Sequence, residues 1–497
     1  MSLGPLGEGS NVDLSRSTRH VDVQHPQAFI SHPLGQEPGL HLASRERRHS
    51  PSRLRPAVAG WVESARGSLE LGQELSYRPF QGGQSSQDGL LIPDSSWSAG
   101  ADSIDDMDLL RHGGMDRLFG GVRAPSTLGT FLRTFTFGHV RQLDSVASAM
   151  LAGLATRTPL LAAGDQVAYV DVDDTVKATY GYAKQGAGYG YNGVKGLNAL
   201  LGTITTPNGA PLICGALLRK GNTSSARGAA RFVAGCVHTA KDAGAGADGG
   251  LIVMRADSAF YSHAVVAAAR RGGARFSLTA RQNRSVKAAI ATIDDQAWTP
   301  IQYPNAIFDE DEQRWISDAE VAELDYTAFT SRPKAEHVSA RLIVRRVTRL
   351  HTAPKVSGQG VLFDTYRYHA VFTDTPITML QAESQHRGHA IIEGVHADLR
   401  AGALAHLPSG HFQANAAWLQ CAVMAFNLTR AAGALAGGRH TKSTTASLRA
   451  HLISVPARIA TSGRRPTLHL PRDWPWQPGW QQLFDTATTG PPTPAAA

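Results

Sequence analysis

The sequence predicts an α/β fold, and three observations predict it. Residues from about 165 to 299 alternate short apolar strands with amphipathic helical patterns. An Asn-Gly turn signal joins two of the strands, and two strands carry aspartate at or near their ends.

Taken in order, VAYVDVDD (167–174) reads as a strand, and NALLGTITTP (198–207) with APLICGALLR (210–219) as a hairpin turning at Asn208-Gly209. Residues 224–241 have the period of an amphipathic helix. LIVMRAD (251–257) is a short buried strand, followed by the helix SHAVVAAARRGG and the strand ARFSLTA. Three strands, helix, strand, helix, strand is the order of an RNase H-like core.

Upstream, Ile104, Met107 and Leu110 recur at helical spacing from Asp102. A second helix, with Ser126 as N-cap after Pro125, is expected to bury Leu128, Phe131, Phe135, Val140, Leu143, Val146 and Leu154, with Gly129 and Gly138 weakening it. Downstream, residues 300–375 break the alternation. LIVRRVTRL (342–350) and DTYRYHAVFTD (364–374) are strand-like, so this stretch reads as a β-rich insertion. Helices resume over 382–400 and 415–435, and the Pro, Thr and Ala tail after about 485 is expected to be disordered. Residues 1–98 are rich in Gly, Ser, Pro, Arg and His without sustained periodicity, which points to disorder or irregular structure, and the character changes abruptly near Ala99.

A chain of 497 residues, 42% hydrophobic, has material for two to four structural units. Its formal charge of +8 favours a polyanionic partner, of which nucleic acid is the commonest. Cys214, Cys236 and Cys421 are odd in number, widely spaced and set among apolar neighbours, the pattern of buried free thiols in a reducing compartment. There is no apolar run of about 18 residues to span a membrane, and the N-terminus lacks the form of a signal peptide. The expected location is soluble and cytoplasmic.

Two-metal phosphoryl transfer needs carboxylates that share ions roughly 4 Å apart, and a rigid sheet fixes such separations. In VAYVDVDDT, Asp171 and Asp173 share one face of the strand and Asp174 points to the other; Asp257 ends the strand LIVMRAD. Strand-end aspartates also cap helices and start turns, and that reading stays open for each taken singly. Farther on, His386, His389, Glu393, His396 and Arg400 fall within an arc of about 80° on one helix face. A solvated polar stripe is the plain alternative. The H-x-x-H-x-x-x-E spacing differs from the H-E-x-x-H pattern that sets two histidines on one zinc ion.

The stretches DVDDT, RKGNTSS, RADSAF and HRGHAIIEGVHADLR, in this order, resemble the DDE transposases of bacterial insertion sequences. The nearest group is insertion-sequence family 1380, within the wider insertion-sequence family 4-like DDE group that carries a β-rich insertion before its glutamate. The resemblance covers about residues 99–480. Carried over position by position, it makes Asp173, Asp257 and Glu393 the catalytic, metal-holding acids, and 136 residues (393 − 257) separate the last two. Tyr, Arg, Glu and Lys of the wider pattern correspond to His386, His389, Glu393 and Arg400; this departs from the wider pattern and looks like the H-R-x-H-A-x-x-E form of the closer group. His386, His389 and Arg400 are thereby expected to contact DNA phosphates. Gly221-Asn222, Asn415 and Asn427 also resemble family positions and are read as structural.

The resemblance implies two magnesium or manganese ions, double-stranded DNA as partner (terminal inverted repeats and target DNA) and a homodimer on that DNA. Composition and resemblance together divide the chain: an irregular N-terminus (1–98), a helical DNA-binding region (99–160), the first part of the RNase H-like core (161–299), the β-rich insertion (300–375), core completion with the Glu393 helix (376–440) and a basic C-terminal segment with its tail (441–497). Residues 1–98 do not resemble the family's usual start, and the change near Ala99 would fit an upstream frameshift or a misassigned start. Two other readings remain: a structure-specific nuclease on the same core, and an inactive DNA-binding remnant of a decayed element.

Overall fold

The computed structural model describes residues 100–113, 115, 122–180, 183–302, 308–309, 314–315, 319–348, 366–462, 465–471 and 473–489. The expectations for residues 1–98, and for the tail beyond 489, lie outside the described residues.

The fold is α/β, an RNase H-like core around a ten-stranded sheet. Its strands are β1 (Val167–Ala178), β2 (Gly188–Tyr189), β3 (Lys195–Thr205), β4 (Leu212–Lys220), β5 (Leu251–Ala256), β6 (Arg275–Thr279) and β7 (Thr299–Ile301). The short strands β8 (Phe308–Asp309) and β9 (Arg314–Trp315) pair only with each other; β10 (Ala319–Ala328), β11 (Val338–Thr348) and β12 (Tyr366–Thr373) return to the main sheet. The order is β2-β3-β1-β5-β6-β12-β11-β10-β7, with β4 also on β3. β1, β5 and β6 run parallel and the remaining pairings are antiparallel.

The helices are α1 (Pro125–Arg133), α2 (Phe137–Arg157), α3 (Ala229–Asp242), α4 (His263–Arg271), α5 (Arg284–Ile290), α6 (Met379–Arg387), α7 (Ile391–Arg400), α8 (Phe412–Ala436) and α9 (Gln477–Thr489). Two separate cores follow from the pleat of β3. Leu200 and Ile204 join one with α3 and α4, while Leu197, Ala199 and Leu201 join the other with α1, α2 and α8. Helix α8 is buried over nearly its whole circumference, because the sheet lies on one side and Leu448, Leu452 and Leu483 pack on its C-terminal turns. Its asparagines are structural: the Asn427 side chain both accepts from Ile213 N–H and donates to the Ile213 carbonyl, and Asn415 does the same for Ser409. Cys214, Cys236 and Cys421 are buried free thiols, and Cys236 Sγ fills the space left by Gly202 and Gly215.

Several local expectations are corrected. Ser126 lies inside α1, which starts at Pro125 behind Ala124; proline has no N–H to lose in a first turn. The single helix expected through residue 154 is two, broken at Thr134–Thr136, where Thr136 and His139 form a reciprocal capping box for α2. Helix α3 begins at Ala229 rather than 224, because Arg219 ties the carbonyls of Ser224, Ser225 and Arg227 into a turn. Helix α9 continues to Thr489, past the expected start of disorder.

The insertion is β-rich, but its long strands extend the core sheet through the β6–β12 pairing (Val371 opposite Thr279). Strand β10 was not expected from the sequence. Glu320, Glu323 and Asp325 interrupt its apolar pattern, and two of them are neutralised by cross-strand partners on β11, Arg346 and Arg341.

Where β2, β3 and the end of β4 meet, backbone crowds backbone. A Cβ on Gly221 would stand 2.0 Å from the Gly196 carbonyl oxygen and 2.3 Å from that of Gly188. Gly221→Ala is expected to destabilise the fold by roughly 1–3 kcal/mol. Chemical denaturation measures this, and an unchanged midpoint would mean that the loop gives way freely.

Candidate active site

The register of the parallel strands builds the site. Asp171 stands opposite Arg255 and Val172 opposite Ala256, so Asp173 on β1 and Asp257, the residue after β5, are neighbours across the sheet. Adjacent strands lie about 4.8 Å apart, the scale on which two carboxylates can share an ion.

Asp171, though on the same face of β1 as Asp173, is fully buried and fully engaged. Arg255 grips it with two bonds of 2.7 Å, His389 Nδ1 lies 2.8 Å from its Oδ1, and Thr205 approaches its Oδ2. Burial alone would raise this carboxyl; the Arg255 charge and the bonds from His389 and Arg255 outweigh it and hold the group below its ordinary range. An ionised Asp171 can only accept, so His389 Nδ1 carries a proton and donates. Arg255 also stacks on the Tyr169 ring and donates to the Gln385 carbonyl, linking the sheet to the end of α6.

Asp173 is partly exposed. Its Oδ1 accepts from Asp174 N–H at 2.7 Å and its Oδ2 lies 3.4 Å from His396 Nε2. Burial pushes its carboxyl up, but His396 and the Asp174 N–H bring it below the usual value. His396 is itself buried, and neither ring nitrogen has a well-formed hydrogen bond in this structure. Asp257 does two things at once. One oxygen accepts from Ala259 N–H at 2.9 Å, the capping role open to any strand-end aspartate, and the side chain remains exposed. Its carboxyl is held above the ordinary range: partial loss of hydration comes first, and the like charges of Asp173 and Asp174 add to it against Ala259 and His389. Asp174, on the opposite face, is locked by Asn198, Arg219 and Ser225 and belongs to the scaffold.

Helix α7 packs on β1, and Glu393 is exposed on it one turn before His396. The other end of α7 is anchored by the buried pair Asp398–Arg430, with Thr445 also donating to Asp398. Among the described residues no three His, Cys, Asp or Glu side chains are gathered closely enough to hold a metal ion as they stand. The donor set still suits a hard cation: two neighbouring carboxylates repel each other, oxygen ligands are what magnesium takes, and an unsatisfied imidazole stands beside one of them.

The histidines expected to face DNA divide. His386 is buried, with Ser277 Oγ and Thr279 Oγ1 each 2.9 Å from one of its ring nitrogens, and burial foremost, with the charges of His389 and Arg255, lowers its pKa to about 3. It is neutral packing against β6, which does not fit a phosphate contact. His389 is half-buried on Asp171, and Arg400 is exposed at the far end of α7. The Arg255–Asp171–His389 network and the contact of His396 with Asp173 were missed in the sequence. The i, i+3 spacing of Glu393 and His396 was the available signal for the second.

An RNase H-like sheet with two carboxylates on neighbouring parallel strands, Asp173 within β1 and Asp257 just past β5, fits a class, the polynucleotidyl transferases and nucleases built on that core. Within the class the assignment is specific: the family described as Transposase DDE domain group 1 matches residues 96–489, and the chain belongs to it. No curated protein matches the chain. Among the described residues no helix is long and apolar enough to cross a membrane.

Proposed function

We propose that the chain catalyses metal-dependent cleavage and strand transfer at the terminal inverted repeats of a bacterial insertion sequence, with Asp173, Asp257 and Glu393 as its acids. The observation that carries this is the neighbouring register of Asp173 and Asp257 beneath the helix that bears Glu393. Two magnesium or manganese ions would supply the activated attacking oxygen and stabilise the leaving one. Glu393, exposed on α7, would complete the set of acids. Arg400 offers donors to phosphate; His389, whose Nδ1–H is taken by Asp171, and His386, packed against β6, are left out of that set. Placement in insertion-sequence family 1380 rests on the segments DVDDT, RKGNTSS, RADSAF and HRGHAIIEGVHADLR, and a homodimer pairing two ends is part of the same reading.

The test is cleavage of end-containing duplex DNA with magnesium or manganese, comparing the unaltered chain with Asp257→Asn. Metal-dependent nicking that the variant lacks supports the reading, and equal nicking by both removes Asp257 from it. A nuclease without transposition would cleave but fail to join ends to a target. DNA affinity is expected to fall steeply with salt, since basic side chains displace condensed counterions; about six phosphate contacts would lose roughly 10³-fold between 50 and 200 mM. Titrations at several salt concentrations measure the slope, and a flat one would contradict phosphate-based binding.

A further inference from the structure

Three of the six large apolar or aromatic side chains exposed among the described residues lie within one short stretch: Tyr180 at 89%, Tyr189 at 69% and Tyr191 at 78% exposure. They contribute nothing to either core. The segment is nevertheless held in place. Tyr189 ends β2 opposite Lys195 of β3, Gly190 N–H donates to the Val194 carbonyl, and Gly193 N–H donates to the Gly190 carbonyl. Gly193 takes a left-handed φ of +74°, and a Cβ on Gly190 would meet Val176 at 2.6 Å, so the hairpin tip lies directly on β1. This is the strand that carries Asp173.

We propose that Tyr189 and Tyr191 form a stacking platform for unpaired bases of a DNA strand led to the Asp173–Asp257 pair; the proposal rests on the DNA-processing reading above. Aromatic faces in a basic setting accept any base by stacking while cations hold the backbone. The cations are present: Lys195 is the register partner of Tyr189, and Lys177, near the end of β1, is close enough to Arg400 to feel its charge. Tyr191 is near the acids as well, since the charges of Asp174, Asp173 and Asp257 act on its hydroxyl.

The experiment compares binding of the full chain, without divalent metal, to a blunt duplex and to a duplex of equal phosphate number ending in four unpaired thymines. The unaltered chain should favour the extended duplex by roughly tenfold. The double variant Tyr189→Ala/Tyr191→Ala should lose that preference, and Tyr189→Phe/Tyr191→Phe should keep it. A 2-aminopurine in the extension should be quenched on binding to the unaltered chain and to the Phe variant only. Equal binding of both duplexes by the unaltered chain, or an undiminished preference in the Ala variant, overturns the platform while leaving the DNA reading intact. Loss of preference in the Phe variant overturns stacking in favour of hydroxyl contacts. Failure of the unaltered chain to bind either duplex overturns the platform and the DNA reading together.

Discussion

Glu393→Gln is expected to lower metal-dependent cleavage of end-containing DNA by two orders of magnitude or more, while binding to the same DNA survives. The change keeps the side chain's shape and removes one anionic ligand oxygen. A metal ion contributes several kcal/mol of charge stabilisation in the transition state, and each ~1.4 kcal/mol is tenfold in rate. Binding loses nothing from the change, because a carboxylate repels phosphate. Arg400→Ala should do the opposite: it deletes an exposed cation on the same helix and weakens DNA engagement. Parallel measurements of binding and of cleavage separate the two. Full cleavage by the Glu393→Gln variant would leave the pair Asp173 and Asp257 without a third acid on α7.

Asp171→Asn is expected to cost stability, about 3–5 kcal/mol, since it leaves the buried Arg255 guanidinium without its counter-charge. Chemical denaturation of the purified chain reads this directly, and a loss below roughly 1 kcal/mol would show that Arg255 finds compensation elsewhere. The same neighbourhood sets an acid limit. The Asp171 carboxyl titrates below its ordinary 3.8, so its contribution is present above that value and fades as pH falls through the lower folded one. His386 acts sooner. Its pKa drops from 6.5 to about 3, so below 6.5 the unfolded chain takes up a proton that the folded chain refuses. Stability should therefore decline as pH falls from about 6.5 toward 3, and His386→Gln should flatten that part of the profile. An unchanged slope would mean that His386 is protonated in place.

The strands and helices around the acids were legible because apolar periodicity is strong there: LIVMRAD and VAYVDVDD each bury one side or both. Side-chain alternation also separated Asp174 from Asp171 and Asp173. What alternation could not separate was Asp171 from Asp173, which share a face; the difference lies in Arg255, a cross-strand partner that register alone supplies. His386 and His389 looked equivalent on a helical wheel, yet β6 meets one and Asp171 the other. A wheel describes a helix without its neighbours. Strand β10 was hidden for the same reason, its acids being balanced by arginines on β11 that lie 18 to 26 residues away.

The sheet's face around Leu197, Ala199, Leu201, Ile213 and Leu218 is covered chiefly by α8, which begins more than 190 residues after Leu218. During synthesis from the N-terminus, β3 and β4 therefore emerge long before their lid exists. At ~5–20 residues per second the wait is on the order of ten to forty seconds. Through that interval an apolar sheet surface stays open to solvent, to other nascent chains and to chaperones. Long-range closure of this kind also slows folding. A chain broken anywhere within the insertion would lose α7 and α8 together, leaving the first two acids on a sheet that cannot bury its second face.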